Sequence, residues 1–270
     1  MIIAVDTGGT KTLVASFGAE GRHSKSHRFA TPKNTQEYIK ILAQLLLGEY
    51  DLKTVNAVCI AVPGVIKNNV VHHTPNLGWS SFDLASALKQ ATSAACPIIL
   101  QNDSSLAGLA EAHALELKHK TVVYITVSTG IGASFVKNGV LNSDLFISEC
   151  GHMMLEYDGI LRQWEHFASG RAIYETYGRY AHDITDTHIW ATIADKISRG
   201  LLALLPLLEP EVVVVGGSIG TYFDRFGETL SNILSEQLPE YIPRPKLVKA
   251  HHTEEAVIYG CSIYANQIIT

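Results

Sequence analysis

Three stretches of this sequence end an apolar run in glycine and hydroxyl residues: "VDTGGTKT" from Val5, "VSTGIGAS" from Val127 and "VVVVGGSIG" from Val212. Glycine lets consecutive backbone N–H groups close on an anion. In the first stretch Thr7, Gly8, Gly9 and Thr10 offer such a turn, and Lys11 adds positive charge. Asp6 beside it would repel a phosphate unless a Mg²⁺ ion bridged the two. Thr129, Gly130 and Gly132 repeat the theme in mid-chain, and Gly216 and Gly217 late in it. The hydroxyls of Thr7, Thr10 and Thr129 add donors. Taken alone, each turn reads as a β-hairpin. "GGTKTLVASFG" lacks the spacing of a P-loop, and "GIGASF" breaks the dinucleotide-binding fingerprint at its last position. Asp103, in "QNDSS", taken alone reads as a helix cap.

The elements around these residues follow from apolar periodicity. Met1–Val5 predicts a buried strand and Thr12–Phe17 a second one after a tight turn, with a possible third over Ser24–Ala30. "TQEYIKILAQLLLGEY" has helical spacing, with Asn34 as its N-cap. "VNAVCIAVPG" predicts a strand ending at Pro63–Gly64. A helix over Phe82–Thr92, a strand over Pro97–Leu100 and a helix from Asp103 to about Leu117 follow. "TVVYITVSTGIGASFV" then repeats strand, glycine turn and strand, and Asn138–Gly139 makes a hairpin turn. Helices are expected at 189–208, at 221–237 and from about Glu254. The strand–turn–strand unit recurs about 120 residues on, which suggests an internal duplication of a mixed α/β unit.

Composition narrows the class. The chain has 270 residues, a formal net charge of -5 and four cysteines without a CxxC pair. A mildly acidic chain lacks the Lys/Arg footprint that nucleic acid needs. Scattered cysteines point to a reducing compartment. No apolar run is long enough to span a bilayer. A soluble, cytoplasmic protein with no nucleic-acid or membrane partner is expected.

The three turns together, with "AVPGVI", "TPNLGW", "QNDSSLAGLAEA", "ECGHM", "WEHFASGRAI" and "EEAVIYGCSIYA" in that order, resemble the ROK family of bacterial sugar kinases and repressors, within the actin-like ATPase superfamily. The resemblance implies an α/β fold of two actin-like (ribonuclease H-like) lobes flanking a cleft. Residues 1–104 would form the first lobe and 105–254 the second, with the helix at 255–270 packing back on the first. It implies an ATP- and Mg²⁺-dependent kinase that moves the γ-phosphoryl group to a hexose primary hydroxyl, on glucose, a related hexose or an N-acetylhexosamine. The first two turns would grip the ATP phosphates, Gly216 and Gly217 would pass under the adenosine, and Asp6 would hold Mg²⁺ through water. Asp103 matches the family's catalytic base. Gly64, Asn76, Asn102, Asp103, Glu149, His152 and Glu165 match positions around the sugar. A homodimer is also implied.

The match fails after His152. Family members carry a zinc-binding loop, C-x-C-G-x-x-G-C-x-E, where this chain reads "GHMMLEYDGILRQWEHFASG". Gln163 replaces the last cysteine, and Cys150 with His152 does not make a closed tetrahedral site, so no structural zinc is expected. Ser128 and Ala133 stand where glycines are more usual. Two rival readings remain. A non-catalytic sugar or nucleotide binder is kept open by the altered loop and opposed by Asp103. A sugar-responsive repressor would carry an N-terminal helix-turn-helix, whereas here the first strand starts at residue 1.

Overall fold

A computed structural model of the chain describes residues 1–18, 20–21, 23–24, 26–145, 149–252 and 255–269. It is a mixed α/β fold of two compact units, Met1–Ala110 with Glu254–Thr270, and Glu111–Thr253.

The first unit is built on β1 (Ile2–Thr7), β2 (Lys11–Phe17), β3 (His27–Ala30), β4 (Ala57–Val62) and a later strand, Ile98–Asn102. Their order is β3-β2-β1-β4 and then Ile98–Asn102. β1 pairs antiparallel with β2 and parallel with β4, which pairs parallel with Ile98–Asn102. β1 and β4 are apolar on both faces because both faces are covered. Ile3, Val5, Ile60 and Val62 pack with Leu42 and Leu46 of α1 (Thr35–Glu49) and with Leu84 and Leu88 of α2 (Leu84–Thr92). The opposite face is small, with Ala4, Ala57, Cys59 and Ala61, and admits the closing helix, Ala256–Ile269, through Ile258, Cys261 and Ala265. A side chain at Gly260 of that helix would collide with the Leu106 carbonyl.

The three parallel strands end on one edge of the sheet. That edge carries Asp6, Gly64 and Asn102, and Asp103 opens α3 (Asp103–Ala114) directly from it. The carboxyl edge of parallel strands is where α/β folds usually place ligands.

Between β4 and α2 lies a three-stranded sheet that periodicity did not predict: β5 (Val65–Lys67), β6 (Val70–His73) and β7 (Ser80–Phe82). Ile98–Asn102 is β8. Phe82, expected in a helix, is in β7, because Asp83 caps α2 by accepting from the Ser86 N–H. Asn34 caps α1 as expected. α3 stops at Ala114 rather than Leu117, where Glu116 takes a left-handed φ of 56°.

The second unit repeats the plan. β9 (Thr121–Val127), β10 (Ile131–Lys137), β11 (Val140–Leu141), β14 (Val212–Gly216) and β15 (Lys246–Lys249) lie in the order β11-β10-β9-β14-β15. β9 is antiparallel to β10 and parallel to β14, as β1 is to β2 and β4. Asn138 and Gly139 have positive φ and turn β10 into β11. A hairpin of β12 (Met154–Tyr157) and β13 (Ile160–Gln163) occupies the departing loop and is followed by α4 (Glu165–Ala168) and α5 (Gly170–Tyr177). α6 (Thr187–Leu208), capped by Asp186, crosses the core with Trp190, Ile193 and Ile197 buried. α7 (Gly217–Gly220) is one turn, and α8 runs Gly227–Gln237. α8 starts later than expected because Phe226, stacked on Trp190 at 5.8 Å, interrupts the helix. Lys25 in the expected third strand, and Glu254 and Thr270 in the expected last helix, lie outside the described residues.

Candidate active site

In the first unit the β1–β2 turn is tight. The Gly8 N–H donates to the Lys11 carbonyl at 3.0 Å, and a Cβ at Gly8 would sit 2.9 Å from that oxygen. Thr7, expected to lend its hydroxyl to a phosphate, is fully buried and pairs with the Tyr38 hydroxyl at 2.7 Å. Its side chain therefore serves the core. Thr12 pairs likewise with Thr31 at 2.9 Å. The crown of the turn, Gly9 to Lys11, is left open, with Thr10 and Lys11 exposed.

Lys33, which no sequence signal singled out, joins this crown. Its ammonium donates to the Gly9 carbonyl at 3.3 Å and to the Asn76 carbonyl. A Cβ on Gly9 would lie 3.3 Å from the Asn76 Cβ. The Lys33 carbonyl in turn accepts from the Trp79 indole at 2.8 Å, and Trp79 packs on Tyr38 at 4.8 Å. Tyr38 and Lys33 thus tie the turn to the "TPNLGW" segment within one unit.

At the sheet edge, Asn102 and Asp103 divide the work. The Asn102 Oδ1 accepts from the Ser105 N–H at 3.1 Å and the Ser104 hydroxyl at 2.6 Å, and its Nδ2 donates to the Gly64 carbonyl at 2.9 Å. Asn102 is therefore the cap of α3 and its tie to the Pro63–Gly64 turn. Gly64 has φ +95, and a side chain there would strike the His73 carbonyl. Asp103 is relieved of capping and accepts from the Ser104 N–H at 2.8 Å and from its own N–H. Desolvation holds its carboxyl above the usual carboxylate range, against those hydrogen bonds. Asp6 is pushed up to about 7, first by desolvation and then by the Asp103 charge, with Lys11 opposing. Two desolvated carboxylates, one of them raised further by the other's charge, suit a hard divalent cation beside an open turn. Among the described residues no three His, Cys, Asp or Glu side chains converge to hold a metal. An ion here would complete its shell with water and ligand oxygens, as Mg²⁺ usually does.

The second unit centres on Glu165. Its Oε2 accepts the Ile131 N–H at 3.2 Å, and its Oε1 lies 3.7 Å from His152 Nε2. A Cβ at Gly130 would sit 2.6 Å from Oε2, and one at Gly151 3.1 Å from it. These two glycines let the carboxylate enter the β9–β10 turn. His152 is half-exposed at 46% and Glu165 less so at 24%. Glu149 is exposed and its carbonyl accepts the His152 N–H at 3.0 Å. Thr129 is exposed at the crown, while Gly132 lies within β10 opposite Thr126. Cys150 is buried, its thiol pushed up to about 11 by burial and then by Glu149. Such a thiol, paired with a single histidine, does not fit a structural zinc, which takes several thiolates.

Gly216 and Gly217 are explained by packing: side chains there would press on the Tyr124 hydroxyl at 2.6 Å and on Val127 N at 2.7 Å. Ser128, noted in the sequence only as a departure, accepts the Ser218 N–H at 2.9 Å, and its carbonyl accepts the Gly170 N–H at 2.6 Å. It joins the second turn to the third.

Comparison with known proteins adds relatives to this geometry. A glucokinase of Streptomyces coelicolor is 28% identical over 64% of this chain, and the match spans 57% of that relative's length. An N-acetylmannosamine kinase of Yersinia pestis is 26% identical over 97% of both chains. The fold superposes on a ROK family glucokinase from Streptomyces griseus, solved with glucose and AMPPNP, with a TM-score of 0.80, 23% identity and coverage of 98% and 99% of the two chains. No helix among the described residues is long and apolar enough to cross a membrane. The ROK family model matches residues 2–268, and the chain belongs to that family.

Proposed function

We propose that the chain is an ATP-dependent kinase of hexoses or N-acetylhexosamines, acting on a primary hydroxyl and most readily on O6. The observation that carries this reading is the division of labour between Asn102 and Asp103. A capping aspartate would be spent on the helix, whereas this one is desolvated, raised in pKa and free to take a proton. Phosphoryl transfer otherwise needs positioning and charge neutralisation. Gly9, Thr10 and Lys11 offer open backbone and a cation to the ATP phosphates, with Thr129 and Gly130 as the second contact and Gly216–Gly217 beneath the adenosine. Asp6 would hold Mg²⁺ through water, and the ion would neutralise phosphate charge. Glu149, His152, Glu165 and Asn76 orient the sugar hydroxyls, since carboxylates accept while His and Asn also donate. The relatives' names, glucokinase and N-acetylmannosamine kinase, support this substrate class. The reading includes a zinc-free cytoplasmic homodimer with no nucleic-acid partner.

ATP consumption across a panel of glucose, mannose and their N-acetylated amino sugars tests it. Sugar-dependent turnover of at least one is expected. Binding of a sugar without ATP turnover on any of them would replace the kinase with a non-catalytic binder.

A further inference from the structure

Tyr157, at the end of β12, gathers three cations. The guanidinium carbons of Arg162 and Arg199 each lie 5.9 Å from its ring centroid, and the Lys196 ammonium lies at 5.8 Å. Phe167 stacks on the same ring at 4.8 Å and 5°, and Tyr177 lies 5.6 Å from Lys196. The hairpin and α6 thus bring three positive charges to one aromatic cluster, in the segment where the chain departs from the family's loop.

Their compensation is incomplete. Asp195 pairs with Arg199 at 2.7 Å. Lys196 is only 7% exposed. Burial first, and the Arg162 charge second, push its pKa down against the pull of Asp158 and Asp195. Among the described residues, the Nε atoms of Arg162 and Arg199 are buried without a hydrogen-bond partner. Contact with an aromatic face offsets part of the cost of burying a cation, but it supplies no acceptor to the N–H groups. Like charges held this close, with buried N–H donors left unpartnered, favour an opposite charge beside them.

We propose that Arg162, Lys196 and Arg199 form a binding site for a phosphate-class oxyanion, separate from the proposed catalytic turns. Arginine forks and an ammonium are the donors that tetrahedral oxyanions take. The site touches the sugar-binding residues through Trp164. Its indole N–H donates to the Lys196 carbonyl at 3.2 Å, a side chain at Gly200 would collide with its ring, and Glu165 is the next residue. An anion bound at Lys196 is therefore one packed side chain away from Glu165. The ligand is either free phosphate or the phosphoryl group of a sugar phosphate, which present the same oxygens.

The test is calorimetric titration of the full chain with inorganic phosphate and, separately, with a hexose 6-phosphate. Gly9→Val is the background, so that phosphate binding at the first turn is suppressed. At least one ligand should bind one-to-one, and Lys196→Met should weaken it tenfold or more. Arg162→Gln should do the same, and serves alone if the methionine variant does not fold. Tighter binding of the hexose phosphate that Lys196→Met weakens identifies the sugar phosphate as the ligand, and equal binding identifies free phosphate. Absence of binding by both, or affinity unchanged in Lys196→Met and Arg162→Gln, overturns the proposal.

Discussion

The turn between β1 and β2 and the turn between β9 and β10 occupy the same place in two sheets of the same strand order. Their surroundings differ in charge. The first is flanked by Lys11 and by Lys33, whose ammonium sits on the Gly9 carbonyl. In the second, the Ile131 N–H is already taken by the Glu165 carboxylate. An anion-binding turn that holds a protein carboxylate is a poorer host for a phosphate than one bordered by cations. Duplicated topology has thus been given two electrostatic roles. Under the proposed function, the first turn would be the stronger nucleotide-phosphate site, while the second would serve mainly to orient Glu165 toward a sugar.

The widest gap between the two units should appear at their carboxylates. Asp103→Asn keeps the shape and removes the base, so kcat should fall by roughly 10² or more. Glu165→Gln should act chiefly on the sugar KM. Equal losses of kcat in both variants, measured by steady-state kinetics, would erase the distinction. The glycines come next. Gly9→Val crowds Asn76 and the open crown, and ATP affinity should drop by about tenfold or more, on the order of 1.4 kcal/mol. Gly130→Val displaces the Glu165 carboxylate and should weaken sugar more than ATP. Titration of both variants with both ligands checks this, and the reverse pattern would exchange the roles of the turns. Lys33→Met should raise the KM for ATP and for sugar together, since one ammonium holds both Gly9 and Asn76, whereas a KM change for only one substrate would break that link.

Stability should depend on pH through the first unit. Asp6 rises from 3.8 to about 7 on folding, so its contribution is fully present below about pH 4 and is lost as pH rises through about 7. The loss is at most on the order of 4 kcal/mol. Melting curves of nucleotide-free protein should show wild type losing ground to Asp6→Asn over that interval, and parallel curves would mean that Asp6 is not desolvated as described. The smallest effect is expected at His152, which is half-exposed. His152→Ala should weaken sugar binding by about tenfold, the scale of one lost charge-assisted hydrogen bond, and move Tm little.

Much of this fold was written in apolar runs. β1, β4, β9 and β14 are buried on both faces and read as continuous hydrophobic strands. The β5–β7 sheet was not legible, because its strands are three or four residues long, rich in polar side chains and held by tertiary packing on Val71 and Trp79. The glycine turns were legible as types. Their occupants were not, because Glu165 reaches Ile131, and Lys33 reaches Asn76, only after the chain has folded. The Thr7 hydroxyl was misjudged for the same reason: its partner Tyr38 sits on the apolar stripe of α1 and reads as core.

The account rests on Asp103 as the proton acceptor for transfer from ATP to a sugar hydroxyl. Phosphorus NMR of a reaction mixture with the sugar that supports turnover tests this most directly. Wild-type protein should convert ATP to ADP and one new sugar phosphate monoester in equal amounts, with the monoester on O6, while Asp103→Asn, still binding sugar, should form it roughly 10² more slowly. Release of inorganic phosphate without a sugar phosphate, or undiminished monoester formation by Asp103→Asn, would contradict the account.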